Sequence, residues 1–143
     1  MSNLRFAHMG LNCLDPIRME KFYVKHFGFR RARVIPLGEG QQIVFLRNDT
    51  VELELFAASA AAPGGPPEKD GPSTAGWRHI AFQVDDVDAK LAEMGAEAPI
   101  THGPFDFGAF IPGWRTVWIA DPEGNIVEIT QNYVDEENPP PLA

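Results

Sequence analysis

One sequence pattern occurs twice in this chain, and it limits the folds that the chain can adopt. A histidine begins an alternating run at His8 and again at His79, and an aspartate follows seven residues later, at Asp15 and at Asp86. In both runs polar or small residues alternate with apolar ones, which indicates a strand with one buried face. We therefore predict one structural unit that occurs twice. Each histidine is expected to face away from the side of its sheet that a helix covers.

The residues after each run extend the repeat. In the first unit, Asp15 is a candidate N-cap for a helix that ends at Gly28. In the second unit, Asp85 or Asp86 caps a shorter helix that ends at Gly95. The strands that follow are predicted at 29–35, 42–47 and 51–57 in the first unit. In the second unit an irregular segment of strand and loop is predicted at 100–110, followed by strands at 115–120 and 126–131. Each unit is therefore predicted to have the order β-α-β-β-β.

Two further segments lie between and after these units. The predicted modules cover residues 1–57 and 77–134 and together form one domain. Residues 58–76 are rich in proline, alanine and glycine, which predicts a flexible connector. Residues 135–143 are acidic and then rich in proline, so we expect this tail to be disordered or to lie along the surface.

Composition excludes several classes of partner. The net charge of −8 argues against binding to nucleic acid or to anionic membrane surfaces. No apolar run is long enough to cross a bilayer, and the first residues lack the apolar core of a secretory signal. The single cysteine, Cys13, cannot form an internal disulfide and fits a reducing compartment. These features predict a cytoplasmic protein.

A glutamate stands in the last predicted strand of each unit. Glu54 lies 46 residues after His8, and Glu128 lies 49 residues after His79. If each sheet curls round a cavity, its first and last strands each bring one of these side chains to the concave face. A glutamate that alternates with leucine usually lies on the solvated face of a sheet, and a lone strand histidine is usually structural. Because the four residues recur at repeated positions, we predict that they bind one metal ion. Its ligands are His8, Glu54, His79 and Glu128.

Three stretches of the sequence carry a resemblance to a known family. They are HIAFQVDD over 79–86, DPEGNIVEI over 121–129, and KFY over 21–23 followed by FGF over 27–29. The chain resembles the vicinal-oxygen-chelate superfamily, which includes glyoxalase I, extradiol dioxygenases, methylmalonyl-CoA epimerase and the fosfomycin and bleomycin resistance proteins. The resemblance implies an α+β fold in which paired βαβββ modules form a cupped, barrel-like mixed sheet with helices on the outer face. It also implies a homodimer whose sites draw on both chains.

The predicted ligand set favours one reaction class. Two imidazoles and two carboxylates suit a divalent ion of the Zn, Ni, Co, Mn or Fe class. If the ion is six-coordinate, these four ligands leave two positions for water or substrate. A bidentate enediolate needs two positions, whereas a ring-cleaving dioxygenase needs three and normally uses one carboxylate. We therefore predict a glyoxalase I-like isomerase or lyase that moves a proton next to a carbonyl, with Glu54 or Glu128 as the base. The alternatives are an extradiol-type dioxygenase and a non-enzymatic, bleomycin-resistance-like protein that binds a small molecule.

The substrate is less constrained than the metal site. We expect a small molecule, and a thiol adduct is one candidate. Glutathione-dependent glyoxalases often carry an arginine four residues after the first-strand histidine, but this chain has Asn12 there, which weakens the case for glutathione. Glu52 is predicted to lie in solvent at the rim of the site, and the alternative is that it supports a metal ligand. His102 is predicted to lie on a surface loop, and the alternative is a proton relay. Aromatic residues that core packing would also use are predicted to form an apolar wall for the substrate: Phe105, Phe107, Phe110, Trp114 and Trp118.

Overall fold

A computed structural model describes residues 3–49 and 51–142 of the chain. Thr50, between the strands predicted at 42–47 and 51–57, is predicted to belong to a tight turn and lies outside the described residues. The helices and strands follow the predicted order. They are β1 (Met9–Cys13), α1 (Pro16–Phe27), β2 (Arg30–Gly38), β3 (Gln41–Asn48), β4 (Val51–Ala57), β5 (Ile80–Gln83), α2 (Val87–Met94), a 3-10 turn (Gly95–Glu97), β6 (Ile100–Asp106), β7 (Arg115–Ala120) and β8 (Ile126–Gln131). No helix in this described part of the chain is both long enough and apolar enough to cross a membrane.

The chain divides into two compact units, and each contains one four-stranded mixed sheet. The first unit comprises residues 1–66 and 121–124, with the strand order β1-β4-β3-β2. The second comprises residues 67–120 and 125–143, with the order β5-β8-β7-β6. In both sheets the first strand runs parallel to the last, and the other neighbours are antiparallel. The predicted α+β class with paired βαβββ modules is confirmed, and each sheet is cupped rather than closed.

The first helix begins and ends where its sequence predicts. The Asp15 side chain accepts a hydrogen bond from the backbone N–H of Arg18 at 3.0 Å, and Pro16 occupies the first helical position, where its missing N–H costs nothing. Gly28 ends the helix in the left-handed conformation, with a φ of 67°. The apolar face of α1 is buried against β1, β3 and β4. The opposite face of the sheet is left free for His8 and Glu54.

The second helix resolves an alternative that the sequence left open. Asp86, and not Asp85, is the N-cap, because its side chain accepts from the backbone N–H of Ala89 at 2.9 Å. The helix buries Val87 and Met94 and lies against β7 and β8. The chain continues through the short 3-10 turn that starts at Gly95. The repeat is therefore present in the second unit with a shorter helix.

Residues 121–124 follow β7 in the chain but belong to the first unit. The Glu123 carboxylate accepts hydrogen bonds from the backbone N–H groups of Leu14 and Asp15, at 2.7 and 2.8 Å. The buried Tyr23 hydroxyl donates to Asp121 at 2.8 Å. These contacts surround the end of β1, where burial and then the nearby carboxylates raise the pKa of the Cys13 thiol to about 12. The stretch 121–124 is thus a support for the first strand as well as a turn.

Candidate metal centre

The first half-site consists of His8 and Glu54. Parallel pairing of β1 with β4 sets Gly10 opposite Glu54, and His8 lies two residues before Gly10 on the same face. The His8 Nε2 atom is 2.8 Å from Glu54 Oε2. The His8 side chain is 41% exposed, and its ring meets the edge of Phe45 at a centroid distance of 5.7 Å. The structure therefore brings together the two residues predicted in this unit.

The second half-site consists of His79 and Glu128 and has the same construction. Parallel pairing of β5 with β8 sets Ala81 opposite Glu128, and His79 lies two residues before Ala81. The His79 Nε2 atom is 2.8 Å from Glu128 Oε2, the same distance as in the first half-site. The His79 side chain is 19% exposed, less than half the value for His8. The sequence repeat is thus also a repeat of strand register and side-chain contact.

Further hydrogen bonds hold both members of the second half-site. The Nδ1 atom of His79 is 2.6 Å from the backbone carbonyl oxygen of Asp70. The buried hydroxyl of Thr116 donates to Glu128 Oε1 at 2.7 Å. Asp70 in turn forms an ion pair with Arg78, and this hydrogen-bonded guanidinium lowers the pKa of the Asp70 carboxyl. Contacts of this kind orient the ligands in known metal sites.

The chemistry of the donor atoms fits a divalent ion of the predicted class. Each half-site places one imidazole nitrogen beside one carboxylate oxygen, and zinc and related ions bind both atom types. In His79 the Nδ1 atom is occupied by the Asp70 carbonyl, so Nε2 is the nitrogen available to a metal. Within residues 3–49 and 51–142, no three His, Cys, Asp or Glu side chains are grouped closely enough to hold an ion. The four-ligand site therefore stays a prediction.

The predicted aromatic residues lie close together in the second unit. The rings of Phe105 and Phe107 stack at 6.1 Å, Phe107 contacts Phe110 at 6.4 Å and Trp114 at 5.0 Å, and Phe105 lies 6.2 Å from Trp118. Trp118 is buried and lies 6.1 Å from the ring of His79, whereas Phe110 is 78% exposed. The cluster thus extends from the second half-site to the surface. Its role in binding a substrate stays a prediction.

Two other residues differ from their predicted surroundings. His102 lies on β6 and not on a surface loop, and its ring contacts Phe105 at 4.7 Å and Trp118 at 5.4 Å. The prediction failed because the irregular register of this strand hides its alternation in the sequence. Glu52 forms an ion pair with Arg47 and its side chain is 15% exposed, so the predicted position in solvent is also wrong. The cross-strand register of β3 and β4 sets these two residues opposite each other.

A cleft beside His8 was not predicted from the sequence. It has a volume of about 670 Å³ and lies in the first unit. The segment before β1 forms part of its wall and has no periodic pattern that would have revealed it. Asn12 is exposed on β1, on the face that also carries Gly10. The residues that line the cleft are Arg5, Phe6, Ala7, His8, Arg47, Asp49, Val51 and Glu52.

Comparisons with known proteins agree with this fold. The model for the glyoxalase/bleomycin resistance protein/dioxygenase superfamily matches residues 5–129. The uncharacterized protein YwkD of Bacillus subtilis (strain 168) is 29% identical over 122 residues, which cover 81% of this chain and 88% of that protein. A glyoxalase family protein from Enterococcus faecalis is 27% identical, with a TM-score of 0.62 over 91% of this chain and 99% of the other. Lactoylglutathione lyase from Agrobacterium tumefaciens is 26% identical, with a TM-score of 0.55 over 91% and 96% of the two chains.

Proposed function

The chain belongs to the glyoxalase/bleomycin resistance protein/dioxygenase superfamily, and from this membership we propose that it is a metal-dependent isomerase or lyase of the glyoxalase I type. The observation that carries the proposal is the second carboxylate. Glu54 contacts His8 in the way that Glu128 contacts His79. Two histidines and two glutamates leave two positions on a six-coordinate ion, which suits a substrate with two adjacent oxygens. A ring-cleaving dioxygenase normally uses a single carboxylate.

The residues of the chain have distinct roles in this proposal. The four ligands are His8, Glu54, His79 and Glu128, and a divalent cation bound by them would polarise the substrate oxygens as a Lewis acid. Glu54 or Glu128 takes the proton from the carbon next to the carbonyl and returns it to the neighbouring carbon. The aromatic cluster beside His79 supplies an apolar surface that limits the access of water.

The proposal includes a small-molecule substrate and a second copy of the chain. A thiol adduct of an α-ketoaldehyde has the adjacent oxygens and the acidic carbon that this chemistry needs. Asn12 stands where glutathione-dependent relatives carry an arginine, so the thiol is proposed to lack the carboxylate that such an arginine would bind. A homodimer is proposed because membership of this superfamily implies sites that draw on two chains.

Elemental analysis of protein purified without added metal tests the proposal. The wild type is expected to hold close to one divalent ion per site, and both Glu54→Ala and Glu128→Ala are expected to lose it. Glu52→Ala is the matched control, because Glu52 is on the same strand as Glu54 but pairs with Arg47. Retention of metal in either ligand variant would contradict the four-ligand site.

Activity assays then separate the candidate functions. The glyoxalase-type reaction predicts turnover of hemithioacetals formed with one of several thiols, and an Asn12→Arg variant should turn over the glutathione adduct faster than the wild type. Bound Fe(II) with oxygen consumption on catechols would instead indicate an extradiol-type dioxygenase. The aromatic cluster also suits a small-molecule binding protein, and metal-free protein that binds aromatic ligands without turnover would favour that function.

Two measurements test the proposed dimer and the sharing of its metal site. Light scattering gives the mass in solution, and mixing His8→Ala with His79→Ala protein shows whether one site uses both chains. Recovery of metal binding in the mixture, with neither variant binding alone, is the result expected for sites shared across the dimer.

A further inference from the structure

We propose that the loop formed by residues 68–72 positions His79 for metal binding, with the carbonyl of Asp70 as the contact and Gly71 and Arg78 as the residues that hold it in place. This inference rests on the proposed role of His79 as a ligand. It assigns a function to a segment whose composition predicts only a connector.

The contact with His79 determines which ring nitrogen is available. A backbone carbonyl only accepts hydrogen bonds, so the Nδ1–H of His79 is the donor in the 2.6 Å contact with Asp70. Nε2 is then the nitrogen directed at Glu128, at 2.8 Å. Fixing the ring in this way both selects the tautomer and limits its rotation, which is how outer hydrogen bonds strengthen the binding of metal by histidine.

A two-point ion pair ties the loop to the residue just before His79. Arg78 Nη2 lies 2.9 Å from Asp70 Oδ1, and its Nε lies 3.2 Å from Oδ2. Its Nη1 also approaches the carbonyl oxygen of Pro72 at 3.5 Å. Bidentate pairs of this kind fix the direction as well as the distance between their partners. Because Arg78 and His79 are adjacent, the pair holds the Asp70 backbone close to the His79 ring.

Gly71 allows the loop to come this close. Its φ is +131°, and a Cβ atom at this position would lie 2.3 Å from the carbonyl oxygen of Arg78. Only glycine can therefore occupy the position without moving the backbone. On the other side of the loop, the Thr101 hydroxyl donates to the carbonyl oxygen of Lys69 at 2.6 Å. The loop is thus held both by the strand-entry residue Arg78 and by β6.

The test uses Arg78→Gln and Asp70→Asn, which break the ion pair but keep the Asp70 carbonyl. Arg31→Gln is the matched control, because Arg31 and Glu20 form a two-point pair in the first unit, and the Arg31 side chain is about as exposed as that of Arg78. Two quantities are measured in each protein. The first is the ¹⁵N NMR signal of the His79 ring without metal, and the second is the Co(II) dissociation constant by competition with a chelator.

The proposal predicts that Nδ1 of His79 carries a proton held by the Asp70 carbonyl in the wild type, and that this Nδ1–H signal is averaged or lost in both ion-pair variants. It also predicts Co(II) binding weaker by about 10- to 100-fold in these variants, against less than twofold in Arg31→Gln. The reversed pair Asp70→Arg/Arg78→Asp should recover part of both effects. Unchanged ring signals in Arg78→Gln would overturn the proposal. If the wild type fails to bind Co(II) while both variants still lose the Nδ1–H signal, the proposed function is overturned, and the hydrogen-bonding role of the loop toward His79 stands.

Discussion

The two half-sites have the same residue types and the same internal distance but different surroundings. In both, the glutamate pairs across the strands with the residue two positions after the histidine, and the histidine Nε2 atom lies 2.8 Å from the glutamate carboxylate. His79 and Glu128 each have a further hydrogen bond, from the Asp70 loop and from Thr116. Among the described residues, His8 and Glu54 have no comparable hydrogen bond, and His8 is the more exposed histidine.

This difference shows that a repeated sheet can carry two unequal ligand pairs. Strand register brings the histidine and glutamate together in each unit, whereas the outer contacts come from a loop and a neighbouring strand. Since hydrogen bonds limit the motion of the side chains that they hold, we expect the second half-site to be the more rigid one. Under the proposed function, Glu54 is therefore expected to be the carboxylate that is freer to leave a metal and act as the base. The following experiments test this comparison.

The largest effect is expected for glycine substitutions beside the two half-sites. Gly71→Ala should lower the free energy of unfolding by about 3 kcal/mol, because alanine would be strained at this φ and would collide with the Arg78 carbonyl. Gly10→Ala should cost less than about 1 kcal/mol, because its Cβ would meet the Phe56 ring at an ordinary 3.4 Å. Urea denaturation measures both values. Equal losses would contradict the difference in rigidity.

Removal of the Thr116 hydroxyl should weaken metal binding more than it weakens the fold. Thr116→Val leaves Glu128 Oε1 without its donor, so we expect a dissociation constant about 10- to 100-fold higher. Thr130→Val is the control, because the Thr130 hydroxyl accepts from Trp114 and lies on the neighbouring strand. Titration with metal and urea denaturation separate the two effects. If both valine variants bind metal alike, Thr116 does not position Glu128.

Alkaline pH should destabilise the first unit through Cys13. The thiol of the unfolded chain ionises with the ordinary cysteine pKa of 9.0, whereas the folded thiol has a pKa of about 12, so the folded state keeps a proton that the unfolded state loses. The contribution of the protonated Cys13 thiol to the free energy of unfolding is fully present below pH 9. About 1 kcal/mol of this free energy should be lost by about pH 10. The free energy of unfolding as a function of pH measures the slope. Cys13→Ala should flatten it, and an unchanged slope would rule out this source.

The smallest effect is expected for the aromatic neighbour of the first half-site. Phe45→Leu removes the ring edge that meets His8, so metal binding should weaken about two- to fivefold, equivalent to less than about 1 kcal/mol. Phe56→Leu is the control on the same face of the sheet. A change of tenfold or more in Phe45→Leu would show that the first half-site is held as firmly as the second.

Local sequence patterns were sufficient for the elements and for the residues of each pair. The caps at Asp15 and Gly28 depend on hydrogen bonds and backbone angles within one turn of the chain. The alternation in β4 likewise places Glu54 on the face opposite the buried leucines. Because the same patterns occur again in the second unit, both histidine–glutamate pairs could be predicted.

The residues that pack around these pairs and their strands could not be predicted in the same way. Residues 121–124 look like an ordinary turn in the sequence, but Glu123 binds backbone groups 108 and 109 residues away. His102 lies on a strand whose register shifts hide its alternation. No local rule connects such residues with their partners, because their approach depends on packing between distant segments.

From the sequence alone, periodicity and capping between close neighbours predict the repeated βαβββ order, the helix ends and the two histidine–glutamate pairs. The hydrogen bonds between the Asp70 carbonyl and His79 and between Thr116 and Glu128 are visible only in the folded chain, and the first pair has no such hydrogen bonds among the described residues. Those contacts require a loop and a neighbouring strand to take one arrangement in space. The resulting inequality of the two half-sites is therefore invisible in a repeat that looks symmetrical along the chain.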